Sequence, residues 1–466
     1  MNHVPCSDTS SHLVSHRPSA QIDQPLSTGA MIAYAAPVSG YVFFMAPLLF
    51  ILPAMYSTHF GLALTDVAFA VIMMRLFDGI TDPTIGYLAD RHRATGGSSK
   101  PWVVCGAIGV VISSYFLFIP PPDTTLAYYL VWSLLFFLAF TLAEIPHIAW
   151  GSRLVMDYHQ RTRVYGIRFM SWQLGSLLFM ALPLLPWYES SEYTPVVMID
   201  AVNIGGLLLM VGLGWMLLAP AGKFTPFSEK DSVILVFHSM RHNKPLILYC
   251  VSIACVCLSY GMWFGLLFFY LDHYLGVKGY IALMFTTGTV MSMVSIPLWV
   301  AVVKRTTKHA MVAVGLVLQC VQLLGMLVVA PGSPWWIILG LVVIAYTSFA
   351  CIGVGAPAMM GDIADYGQLK FYKDRGACYF ALNSFLNKVA LGVGGGLSLS
   401  IAGLWGFNPV ESSHSASAIW GLKLGFILIP LLVAVIALVL ILLTPLNRHR
   451  YRIIEKRLAL RLQRAL

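Results

Sequence analysis

Charged residues are scarce in this 466-residue chain: Asp, Glu, Lys and Arg make up 11% of it, against about 25% in soluble globular domains. Long polar stretches are rare as well, because 58% of the residues are hydrophobic and the mean hydropathy is +0.77. The apolar runs are continuous, unlike the short alternating strands of an outer-membrane barrel. The composition excludes an ordinary soluble domain and predicts an all-α membrane protein with many spanning helices.

The sequence also lacks the spacings of common enzyme, nucleotide and metal sites. GGSSKP at 96–101 does not have the spacing of a phosphate-binding loop. GVGGG at 392–396 follows no predicted strand, so close helix packing explains it better. Cys255 and Cys257 lie two apart in a predicted helix, and no cysteine falls in a predicted outer loop. We therefore predict no enzyme activity, no resident cofactor or metal, and no disulfides.

Twelve apolar segments are long enough to cross a bilayer, which takes about 20 helical residues. They are predicted at 29–57, 64–90, 101–120, 124–150, 163–187, 195–219, 245–274, 279–303, 309–330, 333–360, 376–403 and 416–444. The net charge of +9 could indicate nucleic-acid binding, but lysine and arginine concentrate in alternate connections. The other connections hold only Lys278. Because positively charged loops stay in the cytoplasm, we predict that both termini are cytoplasmic and that nucleic acid is not a partner.

Polar segments divide the chain. Residues 1–28 are predicted to form a disordered cytoplasmic tail, since they lack the apolar core of a signal peptide. A cytoplasmic linker at 220–244 separates two six-helix halves, 29–219 and 245–444. The basic segment 445–466 is either a helix lying on anionic lipid or a solvated tail. Two six-helix halves are typical of the major facilitator fold, whose site lies between the halves near the bilayer midplane.

A weak internal repeat links the second and eighth spans. Pro83 is followed seven residues later by Asp90-Arg91, and Pro297 is followed seven residues later by Lys304-Arg305. In this alignment Asp78 and Asp82 fall opposite Ser292 and Ile296. The carboxylate pair therefore occurs in one half only, which favours a functional role over an architectural one.

Several charged residues lie inside predicted spans, where a charge near the bilayer centre costs about 2.5–3.5 kcal/mol and usually carries function. They are Arg75, Asp78, Asp82, Glu144, Arg168 and Lys388. Spacings of three and four place Arg75, Asp78 and Asp82 on one helical face. Two neighbouring carboxylates suit either a proton site or an oxygen cage for a small cation, and Lys388 could neutralise the pair when the cation leaves.

Some of these residues have a simpler alternative role, and so does a further polar residue, His147. Arg75 and Lys388 could neutralise the aspartates as buried ion pairs, although such pairs contribute little net stability. Arg168 lies five residues after Arg163 and could reach the cytoplasmic surface instead of facing a site. His147 could relay protons, but a hydrogen-bonded core histidine is the simpler interpretation.

The stretch RLFDGITDPTIGYLADR at 75–91, followed by KPW at 100–102, resembles the second-span signature of the glycoside–pentoside–hexuronide:cation symporters, the melibiose permease family. It contains the major facilitator pattern G-x-L-x-D-R. EIP at 144–146, RTRVYGIRF at 161–169 and GDIADYGQLK at 361–370 match as well. The resemblance covers about residues 30–445, and D-x-x-x-D-P together with K-P-W is its specific part.

The resemblance implies a role for particular residues. It implies a cation site formed by Asp78, Thr81, Asp82 and Thr141. It implies solute contacts from Glu144 and Arg168, and a place for Lys388 close to the cation site. Arg75 and Lys388 are both predicted to be charge partners in coupling.

We also predict a cytoplasmic gate. The loop Gly86–Arg91 is expected to hold the cytoplasmic side closed through charge pairing with neighbouring helix ends. The predicted gate residues are Gly86, Asp90, Arg91, Asp362 and Asp365.

The solute half departs from the family pattern. Val42 stands where sugar-transporting relatives carry an acidic residue, and Ile148 replaces an aromatic one. CIGVGAPAMM at 351–360 lacks a further aromatic residue. A less polar or amphiphilic solute, lysolipid- or steroid-like, is therefore an alternative, since the family includes a vertebrate lysolipid symporter.

The sequence thus predicts a secondary active transporter that couples entry of Na⁺ or H⁺ to uptake of a small solute, with a sugar or glycoside favoured. It is expected to work as a monomer in the lipid bilayer of the plasma (inner) membrane. A receptor or scaffold without transport is the alternative outside this class. Asp78→Asn is expected to abolish coupling without unfolding the protein.

Overall fold

The computed structural model describes residues 26–154, 158–220, 241–371, 376–411, 413–444 and 457. Regular structure in these ranges is helical throughout. The predicted tail 1–28, the linker 220–244 and the basic segment 445–466 fall largely outside the described residues, and their predictions stand as made.

The helices of the described residues follow the chain in the order of the predicted spans. They are α1 (Thr28–Phe50), α2 (Leu52–Thr58), α3 (Leu64–Ala94), α4 (Lys100–Phe118), α5 (Leu126–Leu154), α6 (Tyr158–Ala181), α7 (Pro195–Leu217), α8 (Lys244–Phe269), α9 (Ile281–Arg305), α10 (Lys308–Val328), α11 (Trp335–Phe371), α12 (Gly376–Leu404), α13 (Ala416–Lys423) and α14 (Ile429–Leu443). Short 3₁₀ helices occur at Leu182–Leu184 and Lys278–Tyr280. Two π-helical turns, Tyr270–Tyr274 and Leu424–Leu428, extend α8 and join α13 to α14.

Eleven helical segments of the described residues are long and apolar enough to cross a membrane. The remaining predicted span, 64–90, falls on α3, which is 31 residues long but is not among the eleven. The reason is its charge, since Arg75, Asp78 and Asp82 interrupt the apolar sequence. The helix that is least typical of a membrane span is therefore the one that carries the predicted cation site.

Two boundaries differ from the prediction. The segment 29–57 is two helices, because the chain breaks at Ile51 and α2 starts anew with Pro53 in its first turn, where a missing N–H does no harm. The predicted loop Gly86–Arg91 is wrong: these residues continue α3. The helix ends only at Ala94, before Gly96 adopts the left-handed conformation that glycine tolerates (φ +87°).

The helices pack in two groups with the same pattern of neighbours. In the first group, α1 packs on α6 and α7, while α3 and α4 pack on α5. In the second group, α8 packs on α12 and α14, while α9 and α10 pack on α11. The groups meet where α3 packs on α12 and where α9 packs on α6, two contacts that are equivalent under the same correspondence. The bundle therefore has an internal two-fold relation.

Glycines let α12 lie unusually close to its neighbours. A Cβ atom added to Gly392 would lie 1.8 Å from Cγ of Arg75, and one added to Gly396 would lie 2.3 Å from Cγ1 of Ile72. A Cβ atom on Gly394 would lie 2.3 Å from the carbonyl oxygen of Leu258 in α8. The GVGGG segment is therefore a packing surface that brings α3 and α8 together on α12.

We call the end of the bundle near Thr28 and Thr444 the terminal face, and the other end the opposite face. At the opposite face the two groups touch through side chains. Lys278 Nζ lies 3.1 Å from Glu192 Oε2, and the rings of Tyr193 and Phe285 lie 6.5 Å apart. These contacts hold the two groups together at that face.

Candidate functional site

Asp78 is paired inside its own helix. Arg75 Nη1 lies 3.2 Å from Asp78 Oδ2, and their side chains are only 5% and 6% exposed. The guanidinium also lies over the ring of Phe137, 4.8 Å from its centre. Because separating two such buried charges is costly, this carboxylate carries a fixed counterion.

Asp82 is held from two other helices. Thr141 Oγ1 of α5 donates to Asp82 Oδ1 at 3.0 Å, and the Lys388 ammonium of α12 donates to Asp82 Oδ2. Lys388 and Asp82 are 36% and 19% exposed. One carboxylate thus joins α3, α5 and α12, and it links the two helix groups.

Thr81 lies beside the pair without a direct role in either ion pair. Its hydroxyl donates to the carbonyl of Phe77 at 3.1 Å, which leaves its oxygen lone pairs free to face a cation. Asp78 also interacts electrostatically with Lys388 and Asp82. The predicted cation-site residues Asp78, Thr81, Asp82 and Thr141 are therefore adjacent in the fold.

The two ion pairs differ in how firmly they are held. The Arg75–Asp78 pair is almost completely buried within one helix, whereas Lys388 is one-third exposed and comes from the other helix group. Exposure lowers the cost of separating a pair, because water can solvate each charge. The arrangement fits a permanent partner in Arg75 and an exchangeable one in Lys388.

Glu144 and Arg168 form a second polar centre on α5 and α6. Arg168 Nη2 lies 2.5 Å from Glu144 Oε1, and the two side chains are 11% and 9% exposed. Arg168 therefore faces Glu144, the other residue predicted to bind the solute, rather than the surface. Arg168 Nε and Glu144 Oε2 are buried and have no hydrogen-bond partner among the described residues.

Two residues that the sequence interpretation did not place in the site extend this centre. Arg168 Nη2 donates to the Tyr41 hydroxyl at 3.3 Å, and that hydroxyl lies 3.1 Å from His147 Nδ1. Tyr41 passed unnoticed because it resembles an ordinary core aromatic. The rare polar residue His147 in a span was the available signal, but nothing in the sequence shows its partners.

The departures from the family pattern lie near this centre. Val42 directly follows Tyr41 on α1 and is 2% exposed. Ile148 follows His147 on α5, and its carbonyl accepts a hydrogen bond from the Tyr165 hydroxyl at 3.1 Å. At both positions where the resemblance leads to an acidic or an aromatic residue, this chain has an apolar side chain, and a tyrosine lies beside each of them.

The predicted gate residues lie near the terminal face, on α3 and α11. Asp362 of α11 pairs with Lys308 at the start of α10. Gly86 sits in α3, where an added Cβ would lie 3.7 Å from Cγ2 of Ile145. Arg91 is exposed, and the side chain of Asp90 lies outside the described residues. Asp365 lies one helical turn beyond Asp362 in the same helix. The gate remains a prediction.

Comparison with known proteins decides the family. A family model described as "MFS/sugar transport protein" matches residues 33–448. The chain belongs to that family. The resemblance to glycoside:cation symporters of the major facilitator superfamily is thereby confirmed, and the chain is an integral, multi-pass secondary transporter rather than an enzyme.

Named relatives of this MFS/sugar transport protein agree with the family. A "Glucuronide carrier protein homolog" of Escherichia coli (strain K12) is 24% identical over 451 residues, covering 92% of this chain and 95% of that protein. A "Lactose permease" of Leuconostoc lactis is 24% identical over 405 residues, covering 80% of this chain and 61% of that protein.

A solved structure has the same fold. The crystal structure of a bacterial homologue of the human lysosomal transporter Spinster, inward-facing and unoccupied, matches with a TM-score of 0.69 and 11% identity. The match covers 90% of this chain and 97% of that one. At this identity the likeness concerns the fold alone, and it supports the major facilitator architecture.

Proposed function

We propose that this chain is a symporter that couples Na⁺ or H⁺ entry to uptake of a sugar or glycoside. The cation binds between Asp78 and Asp82, and the solute binds near Glu144 and Arg168. The two helix groups then rock about the bound ligands and expose them to either side in turn.

The observation that carries this proposal is the Lys388–Asp82 pair. A transporter that moves a cation must return without it, and a bare carboxylate inside the membrane is costly. The Lys388 ammonium supplies a replacement charge from the opposite helix group. A cation that displaces Lys388 therefore breaks a link between the groups, which couples cation binding to their movement.

The polar centre supports a hydroxylated solute. Arg168 Nε is a buried donor and Glu144 Oε2 a buried acceptor, both without partners among the described residues. Leaving such groups unpaired costs about 1–3 kcal/mol each. A sugar hydroxyl can accept from one and donate to the other. The names of the relatives, a glucuronide carrier homologue and a lactose permease, point to the same class.

The proposed topology has twelve spans. We take α3 as the additional one, because the three charges in its apolar part, Arg75, Asp78 and Asp82, have partners from α3, α5 or α12. The terminal face would then be cytoplasmic in the plasma (inner) membrane, in agreement with the concentration of positive charge there. The Lys278–Glu192 contact would lie on the outer side.

Uptake by proteoliposomes tests the proposal. Purified protein should accumulate either lactose or 4-nitrophenyl β-D-glucuronide when an inward Na⁺ or H⁺ gradient is applied, and should stop when an ionophore collapses that gradient. Lysophosphatidylcholine is included as a competitor, because the alternative solute is an amphiphile. Block by the lysolipid alone, with no glycoside uptake, would favour the amphiphile. Solute binding without gradient-driven uptake would contradict symport altogether.

A further inference from the structure

A buried chain of hydrogen bonds joins α1, α5 and α6 behind the solute site. Arg168 donates to Tyr41 at 3.3 Å, and Tyr41 contacts His147 Nδ1 at 3.1 Å. His147 Nε2 lies 2.8 Å from the backbone carbonyl oxygen of Tyr34. The side chains of Tyr41 and His147 are fully buried. The chain starts at the backbone of α1 and ends at the guanidinium that faces Glu144.

The direction of each bond in this chain is fixed by chemistry. A carbonyl oxygen only accepts, so His147 Nε2 must carry the proton that it donates to Tyr34. In the neutral ring, Nδ1 is then the acceptor and takes the proton of the Tyr41 hydroxyl. The Tyr41 oxygen is left to accept from Arg168. Both ring nitrogens of His147 are then occupied, which leaves no free site for a proton to enter the histidine.

We propose that Tyr41 and His147 are positioning residues, which hold the Arg168 guanidinium against Glu144 so that both can meet the solute. This inference rests on the proposed solute site. It assigns His147 a fixed structural tautomer instead of proton transfer, and it gives α1 a part in solute binding although Val42 has no charge to offer.

The geometry explains why Arg168 needs this support. Its long side chain has many rotamers, and its only carboxylate partner among the described residues is Glu144. Tyr41 and Glu144 both contact Nη2, and Nε is a buried donor without a partner among the described residues. The tyrosine therefore helps to fix the orientation of the guanidinium in which Nε remains for the solute. Without it the guanidinium can rotate, and binding must then include the cost of ordering it.

Tyr41→Phe tests the link because it removes one hydroxyl and leaves the ring. The fold offers a matched control in Tyr249→Phe. Tyr249 is also fully buried, lies on α8, the two-fold counterpart of α1, and donates to the carbonyl of Ala356 at 2.7 Å. Both substitutions delete one buried tyrosine hydroxyl that bridges to a neighbouring helix. Only the first one touches Arg168.

The expected result is a split between solute and cation parameters. Tyr41→Phe should raise the KM for lactose or the glucuronide, whichever the wild type accumulates, about tenfold. The cation concentration for half-maximal uptake should stay unchanged, and the melting temperature should fall no further than in Tyr249→Phe. His147→Asn, which keeps an acceptor near the Nδ1 position, should retain a lower KM than His147→Leu. An equal KM in the two tyrosine variants would overturn the proposal.

The hydrogen bond between Tyr41 and His147 can also be tested without any solute. In protein labelled with ¹⁵N-histidine, the His147 signal is identified by its loss in His147→Asn. We expect Nε2 to be protonated, and Tyr41→Phe should shift the Nδ1 resonance while Tyr249→Phe leaves it unchanged. An unshifted resonance would overturn the positioning role. Absence of glycoside uptake by the wild type would instead count against the proposed function, so the two failures are distinguishable.

Discussion

The two contacts between the helix groups are equivalent in the fold but differ in chemistry. Where α3 packs on α12, the interface holds Arg75, Asp78, Asp82 and Lys388. Where α9 packs on α6, the aligned α9 positions are Ser292 and Ile296. Two groups of helices can therefore meet without a carboxylate pair on the helix equivalent to α3. The pair is not required for such a contact, which favours a role for Asp78 and Asp82 in cation coupling.

The largest expected effect comes from removing the charge that joins the two groups. Asp82→Asn should lower the affinity for the coupling cation about 100-fold, because one charged oxygen ligand is lost, worth about 3 kcal/mol. Gradient-driven uptake measures this. Ser292→Ala, at the position aligned with Asp78, should leave uptake near the wild-type level. Loss of uptake in both variants would mean that the interface as a whole, rather than its charge, matters.

Asp78→Asn should give the same loss of coupling and should also lower the stability of the folded protein. It leaves Arg75, only 5% exposed, without its carboxylate, and such an uncompensated buried charge costs about 3–5 kcal/mol. The melting temperature of Asp78→Asn should therefore fall well below that of Asp82→Asn, which leaves Lys388, a side chain that is 36% exposed, without its carboxylate. This refines the sequence-based expectation that Asp78→Asn leaves folding intact. Equal melting temperatures would contradict the distinction between the fixed and the exchangeable pair.

Crowding the charged contact should give the next largest effect. Gly392→Ala places a methyl group against Arg75, 1.8 Å from its Cγ atom, and overpacking of this kind costs about 1–3 kcal/mol. Gly395→Ala is the matched control in the same segment, since its Cβ atom would meet nothing closer than 3.5 Å. Thermal melting in detergent compares the two. A similar loss in both would indicate helix weakening rather than displacement of Arg75.

Removing the exchangeable partner should strengthen cation binding. In Lys388→Gln the cation no longer competes with the ammonium for Asp82, so its apparent affinity should rise about tenfold, the equivalent of one charge-assisted hydrogen bond. Accumulation should fall nevertheless, because the empty carrier has lost its replacement charge. Cation titrations of the melting temperature measure the first effect and uptake measures the second. Weaker cation binding in Lys388→Gln would contradict the exchange.

The smallest effect is expected at the opposite face. Lys278→Gln removes the contact with Glu192, which lies near water and is worth at most about 1 kcal/mol.

Burial, with the nearby Lys278 charge, lowers the pKa of His59 from its usual 6.5. The unfolded chain then binds more protons in the range just below that value, so stability should rise with pH there. Melting curves from pH 5 to 7 should show a shallower slope in His59→Gln.

The sequence predicts much of the fold because long apolar runs leave few alternatives to spanning helices. Helix ends were harder to predict. α11 continues to Phe371 and α3 to Ala94, since polar residues past the apolar run do not by themselves stop a helix. The break at Ile51 inside an apolar run had no composition signal. The division into two halves was predicted from the linker and the repeat, and the linker lies largely outside the described residues.

The part of the candidate site that lies within one helix could be predicted from the sequence. The i, i+3 and i, i+4 spacing of Arg75, Asp78 and Asp82 shows their common face without a structure. Contacts between distant parts of the chain are different: the Lys388–Asp82 pair spans 306 residues, and it was expected from the charge of Lys388 and the family resemblance rather than from local spacing. The Tyr41–His147 link is hidden for a further reason: buried tyrosines in a membrane span resemble core residues, and their hydroxyl partners appear only once the helices are packed.

The central claim is that the coupling cation binds at Asp82 and displaces Lys388. The most direct test is the melting temperature of the wild type and Asp82→Asn in Na⁺, Li⁺ or choline at fixed ionic strength, and over a range of pH. A cation that binds only the folded state raises the melting temperature. The account predicts that whichever ion stabilises the wild type, Na⁺, Li⁺ or H⁺, loses that effect in Asp82→Asn. An undiminished shift in Asp82→Asn would contradict it.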